Sequence, residues 1–222
     1  YMSNQIVKYN QLKSEVANFR KELESLDVYD KVKGKLRGFQ ILLSPLQYQP
    51  DFMFIGINPG AGSYNVTGKL SHELEPQSRM EYVNSTYSLA AETKKVFELA
   101  GLSKEDLSQA VKTNFYFIAT ESEKGLKQVK NKLDVLDFKK KSKDWNKRLI
   151  EMVETKIIIC EGKSAFSKVL EHGNLKAKWD GDVAYTEWGN MHVIGYKRMY
   201  SQIIDKKGLS KLLAKYYLKI QN

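Results

Sequence analysis

The chain is poor in the residues from which compact chemical sites are most often built. It has one cysteine, Cys160, among 222 residues. This excludes a disulfide framework, a thiolate zinc site and a four-thiolate iron–sulfur cluster. Its three histidines, His72, His172 and His192, lie far apart without ligand spacing, so no metal is expected. Four prolines and fourteen glycines are too few for a fibrous or disordered chain. No apolar run approaches the roughly 20 residues of a membrane span. The start of the chain lacks the basic-then-apolar layout of a signal peptide, and a reducing cytoplasm is the expected address. There is no Gly-x-Ser-x-Gly elbow, which argues against a serine hydrolase. Acidic residues are also in deficit. The 26 Asp plus Glu face 36 Lys plus Arg, a formal net charge of +10, which points to an anionic partner such as nucleic acid.

What is present is core material, with 42% hydrophobic and 11% aromatic residues. Leu12, Val16, Phe19, Leu23 and Leu26 recur at helical spacing, so residues 1–30 read as a helix packed on the domain's own core. Residues 31–222 read as one α/β domain. Asp51 to Gly56 is a buried strand opening into the Asn58-Pro59-Gly60 turn. Residues 87–101 form a helix stopped by Gly101, and Ser103 with Asp106 caps a short one. Val111 to Ala119 reads as a second strand. Residues 124–148 are lysine-rich, part loop, with a helix from Trp145. Lys156 to Cys160 is a third strand, which Gly162-Lys163-Ser164 turns into a helix; Cys160 there is expected to be packed and inert. Val183–Thr186 and Met191–Ile194 flank Gly189-Asn190 as a hairpin, and a last helix runs from Leu209 to Leu218. Strands alternating with helices at this spacing predict a three-layer α/β/α sandwich with a short, largely parallel central sheet.

The glycine-rich segments are not phosphate loops of known type. Gly56 to Gly62 lacks the third glycine of a dinucleotide fingerprint, where Asn65 stands. Gly68-Lys69 and Gly162-Lys163-Ser164 lack the partner glycine of a P-loop, with Ser63 and Ile157 in its place.

Phe54-Ile55-Gly56-Ile57-Asn58-Pro59-Gly60 resembles the first motif of the uracil-DNA glycosylase superfamily, nearest to its mismatch-specific uracil/thymine and single-strand-selective branches. The order of later segments extends the resemblance over roughly residues 50–215. Lys112-Thr113-Asn114-Phe115 stands where the family carries a base-reading asparagine. Ile157 to Gly162 stands at the third strand, and Val193-Ile194-Gly195-Tyr196 precedes the catalytic and wedge loop. That loop departs from the family. Where His-Pro-Ser or Asn-Pro-Ser is usual, this chain has Tyr196-Lys197-Arg198-Met199-Tyr200-Ser201, without histidine or proline.

The resemblance implies a monofunctional DNA glycosylase that removes uracil or a related deaminated base. It would act as a monomer on DNA, with no metal, iron–sulfur cluster or redox cofactor. Asn58 would hold the attacking water. Ile57, Tyr64, Asn114 and Tyr196 would surround the flipped base, Asn114 reading its edge and Tyr64 stacking on it. Met199 or Tyr200 would wedge the duplex open. Gly60, Lys197, Arg198, Ser201 and the helix-opening residues Gly162, Lys163 and Ser164 would hold phosphates. The residues by themselves leave other readings open: Asn58 bonded to its own turn, Asn114 tied to backbone, Tyr64 as an exposed loop side chain, and Lys139–Lys141 as solvated surface. A nucleic-acid binder of the same fold that does not cut, or an enzyme of free nucleosides or nucleotides, are the alternative functions.

Overall fold

The computed structural model describes residues 2–60 and 71–221. Helix α1 (Met2–Glu24) buries Tyr9, Leu12, Val16, Phe19 and Leu23 in one stripe, while Leu26 lies beyond its end and is exposed. Then follow α2 (Asp27–Asp30), β1 (Leu36–Gln40), β2 (Phe52–Gly56), β3 (Ser71–Glu73), α3 (Glu81–Asn84), α4 (Ser88–Leu99) and α5 (Lys104–Ser108). The chain continues through β4 (Val111–Asn114), β5 (Ile118–Thr120), α6 (Glu123–Lys132), α7 (Phe138–Val153), β6 (Ile157–Cys160) and α8 (Lys163–Gly173). It closes with β7 (Trp179–Asp180), β8 (Val183–Trp188), β9 (Met191–Tyr196), β10 (Arg198–Met199), β11 (Gln202–Ile203) and α9 (Lys206–Gln221).

The central sheet has six strands in the order β4-β2-β6-β9-β8-β7, of which β4, β2, β6 and β9 run parallel. β8 and β7 extend it by antiparallel pairing. A second sheet, β3-β1-β5, and the small β10–β11 hairpin complete the strands of the described residues. Strand β2 is buried throughout because both sheet faces are covered. Phe52 and Phe54 pack with residues of α4, α5 and α9, whereas Met53 and Ile55 pack with α1, α6, α7 and α8. The fold is therefore mixed α/β with helices on both sides of a mostly parallel sheet.

Two sequence expectations are corrected. Val111 to Ala119 is not one strand. After Asn114, the amides of Phe115 and Tyr116 bond the carbonyls of Gly56 and Ile57, and the chain then leaves to pair with β1 as β5. Residues 124–148 are also helical nearly throughout, as α6, a 3-10 turn at Leu133–Leu136 and α7. Leu126, Val129, Leu133, Phe138, Trp145 and Leu149 face the core, and the lysines between them mask that period. The break between the helices falls at Asp137, whose φ is 56°. The Ser103–Asp106 capping box is present at α5, and β8 and β9 join through Gly189-Asn190.

The route through the sheet fixes where a ligand would go. The chain enters at β2, steps to β4 on one side, then crosses to β6 on the other. In open α/β sheets the crevice at such a reversal, outside the carboxyl ends of the strands, is where ligands bind.

Candidate functional site at the strand ends

Strand β2 ends at Gly56, a position where nothing larger fits. A Cβ on Gly56 would lie 2.3 Å from Oδ1 of Asn114 and 3.0 Å from Oε2 of Glu161. Gly56 and Asn114 are register partners, and Glu161 directly follows β6. Three strand ends thus converge on one point.

Asn58 stands two residues beyond β2 and is half-buried. Its Nδ2 donates to Oγ1 of Thr120 at 2.9 Å, to the Pro59 carbonyl at 3.1 Å and to the Ile118 carbonyl at 3.4 Å. The bond to its own turn that the sequence left open is therefore present. It occupies the nitrogen, and among the described residues nothing donates to the carbonyl oxygen, the end able to accept a hydrogen bond.

Asn114 is 4% exposed, and its Nδ2 has no hydrogen-bond partner among the described residues. A buried donor left unpaired costs about 1–3 kcal/mol. Its backbone is held from behind by Asn146 of α7, whose Nδ2 donates to the Asn114 carbonyl at 3.4 Å and to the Phe115 carbonyl beside it.

Behind Asn114 lies a buried ionic cluster that the sequence reading missed. Lys112 projects to the same side of β4 as Asn114, two residues earlier. Its Nζ is 3.0 and 3.2 Å from the oxygens of Glu161 and 3.4 Å from Oε2 of Glu81. It also lies 3.8 Å from the ring centroid of Tyr82, whose hydroxyl donates to Glu161. Burial, with the Glu161 carboxylate beside it, pushes the Tyr82 phenol well above its ordinary range, so it stays a donor. A signal was available in the chain: a lysine inside an apolar strand, and a glutamate abutting Ile157-Ile158-Ile159-Cys160.

Gly162 follows Glu161 and caps α8 at φ 105°, a conformation only glycine adopts readily. Arg198 Nε would be 3.1 Å from a Cβ there, so the guanidinium lies across the start of α8. Gly162→Ala should cost about 1–3 kcal/mol from the backbone conformation alone. Chemical denaturation measures this, and an unchanged midpoint would show that the turn relaxes freely. Ser164 already donates to Oε2 of Glu123 at 2.9 Å, and Lys163 is exposed.

The last loop is a two-stranded hairpin. Arg198 pairs with Ile203 and Met199 with Gln202, leaving Tyr200 and Ser201 at the tip. Met199 is 58% and Tyr200 91% exposed, and Tyr200 has φ 56°. Two large apolar side chains therefore stand in solvent at the edge where the site lies. Two expectations for this segment are corrected. Tyr196 does not face an open pocket: it is 2% exposed and packs in the core with Ile159 and Ile194, because it shares with Ile194 the face of β9 that α4 and α9 cover, while Val193 is buried on the opposite face. Lys197 is engaged elsewhere, with Nζ 2.8 Å from the Gly181 carbonyl and 3.1 Å from Asp182 at the β7–β8 turn.

Of the other expected residues, Ile57 is buried and Gly60 exposed, bridging to Thr120. Tyr64 lies outside the described residues. Cys160 is fully buried, and burial pushes its thiol up, away from reactivity. His192 packs against Tyr216, with ring centroids 4.6 Å apart, and His172 against Trp188, at 5.3 Å. Among the described residues there is no group of three or more His, Cys, Asp or Glu able to hold a metal ion. No described helix is long and apolar enough to cross a membrane. Compared with models of known protein families and with curated proteins, the sequence matches none of them.

Proposed function

We propose that the chain is a uracil-DNA glycosylase-type enzyme that hydrolyses the N-glycosidic bond of uracil or a related deaminated base in DNA. The observation that carries this reading is the pairing of two asparagines at adjacent parallel strand ends with opposite polar ends available. Asn58 has its nitrogen occupied and its oxygen, which accepts nothing among the described residues, able to orient a water. Asn114 has a buried, unpartnered nitrogen able to donate to a base oxygen.

The chemistry asks for both. As the bond from the sugar to the base nitrogen breaks, the base leaves with the electron pair and the sugar carbon becomes cationic. A water held by Oδ1 of Asn58 adds its oxygen to that carbon and releases its proton to solvent, while the departing base anion takes up a proton from solvent, so that free base and an abasic sugar result. The Asn114 donor meets negative charge developing on the base, and in a dry site such a donor needs no reorganisation. Met199 and Tyr200, both exposed on the hairpin, suit the wedge that a base-flipping enzyme needs, since extrusion costs a few kcal/mol. Arg198, across the start of α8, suits a phosphate contact.

The test is base release from labelled oligonucleotides carrying uracil, single-stranded and opposite guanine or adenine, with alkali revealing abasic sites. Asn114→Ala should lower release by roughly 10- to 100-fold. It should leave the melting temperature unchanged or higher, because it removes a donor that has no partner. A variant that melts lower and still releases base at the wild-type rate would assign Asn114 to structure alone. No release by the wild-type protein at high concentration would sink uracil excision. The reading would then shift to nucleic-acid binding without cleavage, which the core-packed Tyr196 and the histidine-free hairpin favour.

A further inference from the structure

A groove of about 620 Å³ opens between α6, α7 and α8. Its walls carry Lys127, Lys130, Lys139, Lys143, Lys163 and Lys168 against only Glu123 and Glu171. Both carboxylates are already engaged, Glu123 by the Ser164 hydroxyl and Glu171 by Lys168. Lys139 pairs with Asp134 at 2.9 Å. That leaves Lys127, Lys130, Lys143 and Lys163 without an ion pair among the described residues. Partial burial and then the neighbouring Lys168, Lys139 and Lys127 hold the Lys130 ammonium below its ordinary range, with Glu171 opposing them only in part, as expected of crowded cations.

The floor of this groove links it to the strand ends. Ile57 precedes Asn58, and Phe115 and Tyr116 follow Asn114. The groove therefore runs up to the candidate site from the α6–α8 face of the sheet. Tyr116 is buried and Lys130 Nζ lies 5.2 Å from its ring centroid, so the groove offers cations rather than an open stacking face.

We infer that this groove is the track for the sugar-phosphate backbone of a nucleic-acid strand leading to or from the site, gripped by Lys127, Lys130, Lys143 and Lys163. The assignment of the track to the strand that carries the target base rests on the base-excision reading. The electrostatic grip does not, because lysines facing phosphates bind any sequence through charge and counterion release.

The experiment uses fluorescein-labelled oligothymidylate, which holds no uracil, and follows anisotropy across a salt series. Lys127→Gln/Lys130→Gln/Lys143→Gln should weaken binding by about 10-fold or more at low salt. It should also make the slope of log affinity against log salt shallower by about 2, at roughly 0.7 for each phosphate no longer neutralised. A control triple, Lys104→Gln/Lys215→Gln/Lys219→Gln on α5 and α9 across the sheet, should keep both affinity and slope near wild type. Matching melting temperatures for the two triples would show both folded. Equal losses in the two triples would reduce the effect to net charge and overturn the track, and so would an unchanged groove triple. Displacement of the oligonucleotide by polyglutamate at equal charge concentration would overturn nucleic acid in favour of an acidic polypeptide. Since the probe carries no target base, failure of base excision leaves these outcomes readable.

Discussion

Lys112→Met should destabilise the protein by about 3–5 kcal/mol, the cost of leaving a buried carboxylate without its cation. Glu161 is 4% exposed, and among the described residues Lys112 is the cation bonded to both its oxygens, with the Tyr82 hydroxyl as the remaining donor. Removing the ammonium leaves Glu161 and Glu81 facing each other's charge in a low-dielectric site. For a chain of this length, the loss should appear as a drop of roughly 6–20 °C in melting temperature. The paired variant Lys112→Met/Glu161→Gln should recover at least half of it. A buried ion pair replaced as a unit is often neutral, whereas one broken by half is not. Losses that simply add across the two positions would mean that the pair does not interact as the geometry requires. The cluster also holds the site: Glu161 and Asn114 meet over Gly56, so loss of Lys112 should disturb Asn114 before more distant parts of the fold.

Asn58→Ala should lower base release by about 100-fold or more, the scale on which positioning of a reacting group acts, while leaving oligonucleotide affinity within about twofold. Water orientation is the role tested. The substitution also deletes donations to Thr120 and Pro59, so a stability loss of about 1 kcal/mol is expected alongside. The rate and the affinity separate the two roles. If affinity falls in step with rate, Asn58 shapes the loop rather than the reaction. If the rate holds while stability drops, Asn58 is only a tie between the β2 turn and β5.

Much of the frame was legible because local physics dictates it. The apolar run before Gly56 and the Ile157–Cys160 run could only be strands buried on both faces. The α1 stripe had a helical period, and the Ser103–Asp106 box announced its own helix. Elements shaped by remote partners were less legible. Val111 to Ala119 looks continuous, yet the carbonyls of Gly56 and Ile57 capture Phe115 and Tyr116 and redirect the chain. Helix α6 was hidden because its buried positions, Leu126 and Val129, are few among lysines.

The sequence by itself determined the composition limits, the alternation of strands and helices, and the Gly56–Gly60 turn that presents Asn58. Each of these depends on neighbours in the chain. Only the tertiary structure decided which side chains share a site. It drew Lys112, Glu161, Tyr82 and Asn114 together from three segments far apart in sequence. It turned Lys197 toward Asp182 and Tyr196 into the core, and gathered lysines of α6, α7 and α8 along one groove. The reason is that strand order and register, which no local propensity encodes, fix which strand ends converge and which charges are buried together.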